Sequence, residues 1–262
     1  MTSNAAPLAP VHPNVGLEIS YQRKLEALID EMNKSLTYWI TAAYRQNKPR
    51  MAHDASPAMV LRNIMKNLAR HWMKRFDKAS LELAKYFALN ASKRSDSALA
   101  AILNKSGFAV KFNMTRAAND VMQATIGQQV GLIKSIAEHH LGDVEGLVMR
   151  SVQTGRDLET LNRELKHRFK LTKKRAALIA RDQNNKATAA MTRVRQQELG
   201  ITKAIWVHSA AGKEPRPEHV AANGKEYDVA KGMFLEGVWT WPGVEINCRC
   251  VSRPILPGLV RK

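Results

Sequence analysis

From Leu17 to Leu199 apolar residues recur at steps of three and four, and that spacing commits most of the chain to helices. Leu25, Leu28, Ile29, Met32, Leu36, Trp39 and Ile40 fall on one face of a first helix. Lys48–Pro49 ends it, because a residue before proline is driven out of helical geometry. Ser56–Pro57 starts a second helix, with a capping hydroxyl followed by proline where the missing N–H costs nothing. Val60, Ile64, Leu68, Trp72 and Phe76 repeat along it at steps of four. This helix is expected to reach about Leu89, with a shorter one over 95–104 stopped by Gly107. Phe108 to Phe112 reads as a short strand or extended connector. Thr115 caps a helix over roughly 116–140, although Gly127, Gly131, Gly142 and Gly146 weigh against its continuity. Asp157 caps a helix carrying Leu158, Leu161 and Leu165, and Thr172 caps the next, which Gly200 ends.

Beyond Gly200 the pattern changes. Ile201 to Val207 alternates and is rich in β-branched and aromatic residues, so it reads as a strand. Gly212, Pro215, Pro217 and Gly224 mark a turn-rich stretch. Trp239 with Trp241, and Val244 to Val251, read as two more short strands either side of Pro242–Gly243. Helices followed by strands give an α+β fold: a mainly helical N-terminal region, then a small C-terminal domain of helices and short antiparallel strands. The expected division is a flexible tail over 1–16, a helical region over 17–154, a domain over 155–254 and a basic tail over 255–262.

Composition narrows the function. The 262 residues are 45% hydrophobic, which excludes wholesale disorder. No run approaches the ~18 apolar residues of a spanning helix, so no membrane partner is expected. The first fifteen residues lack the basic start and apolar block of a secretory signal. With two cysteines, a disulfide framework is excluded and a reducing compartment expected. Charge is the outlying quantity: 41 Lys and Arg against 23 Asp and Glu give +18, which implies an acidic partner. Half of that excess lies in 161–203, with twelve cations against Glu164, Asp182 and Glu198. A helix pair with a basic junction there offers Lys170, Lys173, Lys174, Arg175, Arg193 and Arg195 to the phosphates of double-stranded DNA, without sequence preference. A merely solvated polar face is the competing reading. No aromatic interleaving supports base reading.

Residues 206–254 concentrate the special side chains: Trp206, His208, Arg216, His219, Asn223, Gly224, Asn247, Cys248, Arg249 and Cys250. Three chemistries compete for them. His219, Cys248 and Cys250, with His208 as a possible fourth, are donors of the zinc type, although C-x-C is tighter than the usual spacing. A thiol beside His219, its pKa depressed by Arg249, would be a nucleophile. Buried hydrogen-bonding groups holding an irregular backbone are the third reading and the expected one. No cofactor is therefore expected, zinc being the one metal the donors suit.

The order of these residues carries more than their chemistry. Ala180-Arg-Asp-Gln183 leads through Glu198-Leu-Gly-Ile201 to a strand bearing Trp206. Then follow Arg216-Pro-Glu-His219, Asn223–Gly224, Pro242–Gly243 and Ile246-Asn-Cys-Arg-Cys250. Over roughly 150–254 the chain resembles the phage Mu F-type head morphogenesis proteins, minor head proteins of tailed phages. Arg181 carries over from the family's helix, but Asp182–Gln183 stand where Thr-Glu is common. The turn before Arg216 is longer than usual and lacks the family's acidic residue. The resemblance implies a non-enzymatic virion component of a tailed phage or prophage, present in the host cytoplasm during assembly. It would act near the portal, with the portal protein and the major head protein or scaffold as partners, and would contact packaged or ejected DNA. The rival expectation is a metal-dependent, nuclease-like enzyme using the His/Cys cluster.

Overall fold

The computed structural model describes residues 5–46, 56–155, 157–210 and 214–260. Four long helices run in chain order: α1 (Val15–Gln46), α2 (Pro57–Lys105), α3 (Arg116–Gln153) and α4 (Leu158–Glu198). A short α5 (Pro217–Ala221) lies among the strands β1 (Ala5–Pro7), β2 (Lys203–Val207), β3 (Glu226–Asp228), β4 (Met233–Leu235), β5 (Val238–Thr240) and β6 (Val251–Val260). This is the expected α+β class. No helix among the described residues is long and apolar enough to cross a membrane.

Several boundaries are those the capping residues specify. The amides of Glu159 and Thr160 donate to the Asp157 carboxylate, and the Ala118 amide donates to Thr115 Oγ1. Gly200, at φ +71°, ends α4 while Ile201 N–H donates back to the Gln196 carbonyl at 2.9 Å. The expected interruptions do not occur. α2 continues through 89–95 because Asn90 and Ser97 turn their side chains onto carbonyls four residues back, while Ala88, Ala91, Ser92 and Ser95 are buried. α3 runs unbroken past all four of its glycines, none of which has a positive φ. The basic helix pair is one helix: Thr172 sits inside α4, bonded to the Arg168 carbonyl and to His140 instead of capping.

The chain forms two compact units, each assembled from separate segments. Unit 2 comprises Ser20–Ala84 and Gln128–Ile179. Its core takes Tyr21, Leu25, Ile29, Met32, Leu36 and Ile40 from α1, all buried, while Trp39 of the same periodic set is exposed. Leu61, Met65, Trp72 and Phe76 of α2, Ile133 and Ile136 of α3, and Leu161 and Leu165 of α4 complete it. Each such side chain removed from water contributes roughly 1.5–3 kcal/mol. The Tyr21 hydroxyl donates to Gln129 at 2.8 Å within this core.

Unit 1 comprises Met1–Ile19, Lys85–Gly127 and Ala180–Lys262. Its four-stranded antiparallel sheet has the order β1-β6-β2-β3, and β4 pairs with β5 in a separate hairpin. Ala204 and Trp206 point into a core shared with Leu99 and Leu103 of α2, Tyr227, Val229, Leu256 and both cysteines.

The expected division at 154/155 cuts across both units, because Leu99 and Leu103 complete the core beneath the sheet. Of the expected flexible tail, residues 5–7 are strand β1, and Leu8 and Val11 are buried. Of the expected basic tail, residues 255–260 continue β6. Residues 244–250 form turns instead of a strand, since Gly243 (φ +85°) and Asn247 (φ +61°) bend the backbone into left-handed geometry.

Candidate functional site

The C-x-C segment is irregular backbone held by the polar face of α4. Asp182 Oδ1 accepts the Asn247 amide at 2.7 Å, and Asn185 Nδ2 donates to the Cys248 carbonyl at 3.1 Å. These two residues are three apart in the helix and so share a face. One further turn along, Ala189 packs against Gly243, where an added Cβ would lie 3.1 Å from both Ala189 Cβ and the Cys250 carbonyl oxygen, tighter than ordinary contact. Lys186 pairs with Asp182 at 2.9 Å and balances its charge. Sequence reasoning singled out Arg181, which is half-buried, and missed Asp182 and Asn185 as anchors. The available signal was the run of amide and hydroxyl residues from 182 to 196, now seen buried.

This loop brings Cys248 and Cys250 to His219, which α5 presents from below Trp206. His219 Nδ1 lies 3.5 Å from Cys248 Sγ and 3.9 Å from Cys250 Sγ, with all three residues buried. The Trp206 and His219 rings meet edge to face at 5.1 Å. Among the described residues these three form the group of donors able to hold a metal ion, their ligand atoms all within 4.8 Å of one another. The sulfurs are also ringed by N–H groups. Backbone amides of Cys250 and Gly243 serve Cys248, and the amide of Ser209 serves Cys250.

Hydrogen bonding from the Cys250 thiol, helped by the amides and by His219, pulls Cys248 below its ordinary value despite burial. The same bond and burial push Cys250 up. The pair thus favours one thiolate sharing the other's proton. A cavity of about 290 Å³ opens beside the cluster, walled by the three donors with His208, Glu214, Arg216 and Arg249.

The remaining motif residues hold the surrounding chain. Arg216 Nη2 donates to the Ile246 carbonyl at 3.1 Å and its Nε lies 3.7 Å from Glu236. Asn223 Oδ1 accepts the His208 amide at 2.9 Å, and Gly224, at φ +80°, donates to the Trp206 carbonyl. Both tie the end of β2 to the turn after α5.

The six basic residues expected at phosphates separate. In unit 2, Lys170 and Lys174 are exposed, Lys173 pairs with Asp30 at 3.2 Å, and Arg175 donates to Ser135. In unit 1, the Arg193 guanidinium stacks 4.1 Å from the Trp241 ring centre. Arg195 is buried, with its fork on Asp96 at 2.8 and 2.9 Å and a third bond to Glu198. Arg195 is therefore a structural ion-pair residue and not a phosphate contact.

Comparison with known proteins agrees with the motif order. Residues 142–253 match the family model of Phage Mu protein F like proteins. That range covers α4, β2 to β5, the C-x-C loop and the first residues of β6. An uncharacterized protein of Haemophilus influenzae is 34% identical over 135 residues, covering 52% of this chain and 29% of the relative. The chain thus spans less than a third of that relative's length. No solved structure matches.

Proposed function

We propose that this chain, Phage Mu F-like over residues 142–253, is a non-enzymatic head protein of a tailed phage, acting in head morphogenesis beside the portal. The observation that carries the reading is the family match itself, whose motif residues build one hydrogen-bonded unit. Arg216, Asn223 and Gly224 bond to backbone and the Asn247 amide donates to the Asp182 carboxylate, which is how a loop-rich structural domain satisfies its polar groups.

Contact with packaged DNA is part of the proposal and rests on charge. The net +18 is concentrated in part on α4, where Lys166, Lys170 and Lys174 are exposed at steps of four and share one face. Such a stripe spans roughly 12 Å along the helix and meets a phosphate backbone without reading sequence.

Deleting the gene from the phage or prophage that carries it tests the assignment. Infectious particles should fall sharply, recover on complementation, and contain this protein in purified heads. Crosslinking of those heads should return portal peptides. Purified infectious heads lacking the protein, at unchanged yield, would refute the head role. Crosslinks confined to tail proteins would refute the portal placement.

A further inference from the structure

We propose that His219, Cys248 and Cys250 bind one Zn²⁺ ion, with the fourth coordination position turned to the adjoining cavity for a solvent molecule. The inference stands apart from the head-assembly reading, and its test reads metal binding alone.

The spacing of the donors supports it. Tetrahedral zinc with Zn–S near 2.3 Å and Zn–N near 2.0–2.1 Å separates a sulfur from a nitrogen by about 3.6 Å. The two separations here are 3.5 and 3.9 Å. Both lie within a few tenths of an ångström of that value, and all three ligand atoms lie within 4.8 Å of one another.

The surroundings of the sulfurs point the same way. A neutral buried thiol is a weak acceptor and needs few donors. Here three backbone amides are directed at the two sulfurs. Donors of this kind stabilise thiolates, and the outer groups around metal ligands orient and tune them in this way. Asp182 and Asn185 fix the loop through its backbone, so the donor atoms are positioned before the metal arrives.

The donor set selects the metal. Two thiolates and an imidazole suit zinc, whereas calcium and magnesium require oxygen ligands. Two thiolates balance the charge of Zn²⁺. On loading, both S–H bonds break, two S–Zn bonds form, and the two protons leave to solvent, with no change of oxidation state. The ion would staple α5 to the C-x-C loop, two pieces joined by irregular chain.

The test uses the full chain, purified under reductant, stripped with a chelator and then titrated with Zn²⁺ or Co²⁺. One zinc per chain should remain after desalting, and Co²⁺ should give thiolate-to-metal charge-transfer absorption. Cys248→Ser and Cys250→Ser should each lose the stoichiometric zinc and that absorption. His219→Gln should weaken binding by roughly 10–100-fold or more. His208→Gln, on the cavity wall, should bind as the parent does. Because losing a buried thiol can itself impair folding, the unaltered chain decides the matter. If it is folded by circular dichroism yet retains no zinc and shows no charge-transfer band, the proposal is overturned. Zinc retained in the double cysteine variant would also overturn it, as would stoichiometric Cu(I) that zinc cannot displace.

Discussion

Replacing Arg195 with alanine separates a structural role from a DNA contact at one residue. Its guanidinium makes four hydrogen bonds: two to Asp96 at 2.8 and 2.9 Å, one to Glu198 at 2.8 Å and one to the Asn113 carbonyl at 2.9 Å. It also lies over the Phe112 ring at 5.0 Å. The arginine side chain is 2% exposed, against 20% for Asp96 and 25% for Glu198. Removing one partner from a buried ion pair costs ~3–5 kcal/mol. The two carboxylates keep some access to water, so the lower end, about 3 kcal/mol, applies here. At ~2–4 °C per kcal/mol, the unit 1 transition should fall by roughly 6–12 °C. Arg195→Lys should recover only part of the loss, since an ammonium cannot span both Asp96 oxygens. A double-mutant cycle with Asp96→Asn should show coupling of ~1–3 kcal/mol. The assay is urea or thermal unfolding followed by near-UV circular dichroism, with DNA binding measured well below the transition. DNA affinity should stay within about twofold, the scale of one exposed charge screened by salt. An Arg195→Ala protein that melts like the parent while losing tenfold in DNA affinity would refute this reasoning.

Three further outcomes follow from other parts of the molecule. Gly243→Ala should cost ~2–3 kcal/mol, because it adds a clash with Ala189 and the Cys250 carbonyl to a left-handed φ. Gly107→Ala, at φ +89° in open space, should cost only ~1 kcal/mol, and equal losses in urea unfolding would contradict the packing argument. Burial, with Arg168 adding and Asp143 opposing, lowers His140 to about 4, so the folded state keeps it neutral. Between that value and the unfolded ~6.5 the unfolded chain binds more protons. The stability from a neutral His140 is therefore full above pH ~6.5 and is lost as pH falls toward ~4, by up to about 3 kcal/mol. His140→Gln should remove that component of the pH slope, and an unchanged slope would refute the assignment. Replacing Lys166, Lys170 and Lys174 together with glutamine should lower the salt slope of DNA binding by about 2.7, at ~0.9 per phosphate contact. Lys173→Gln should do less, since Lys173 already pairs with Glu26 and Asp30; DNA binding that survives ~0.5 M salt would refute the electrostatic reading.

The helical class was legible because a 3.6-residue period shows wherever one face is buried, and the caps at Thr115, Asp157 and Gly200 use local chemistry alone. Continuity was less legible. Polar stretches such as Asn90 to Ser97 resemble helix breaks, yet their side chains bond back to their own helix and pack closely. The basic run of α4 misled differently. A charge count cannot distinguish Lys174, which is exposed, from Arg195, which is enclosed by two carboxylates distant in sequence. Around the candidate site, the spaced motif identified His219, Cys248 and Cys250. Asp182 and Asn185 escaped notice because a helical carboxylate or amide looks the same in sequence whether it meets water or a loop 60 residues away. Their role depends on tertiary packing, as does the burial of Leu8 and Val11, which a proline-containing leader did not suggest.

The adjacency of β1 and β6 sets a schedule for synthesis. Unit 2 uses no residue beyond Ile179, so all its segments are synthesised before the last segment of unit 1, Ala180 onward. β1 is translated well before its pairing partner: Arg253 bonds to the Leu8 carbonyl across 245 residues. At ~5–20 residues per second, that gap lasts roughly 10–50 s. Throughout it Leu8 and Val11, buried in the finished fold, have no sheet to bury against. The sheet can therefore close only after translation has passed the C-x-C loop, so a ribosome stalled between Ala180 and Arg253 leaves β1 without its partner β6.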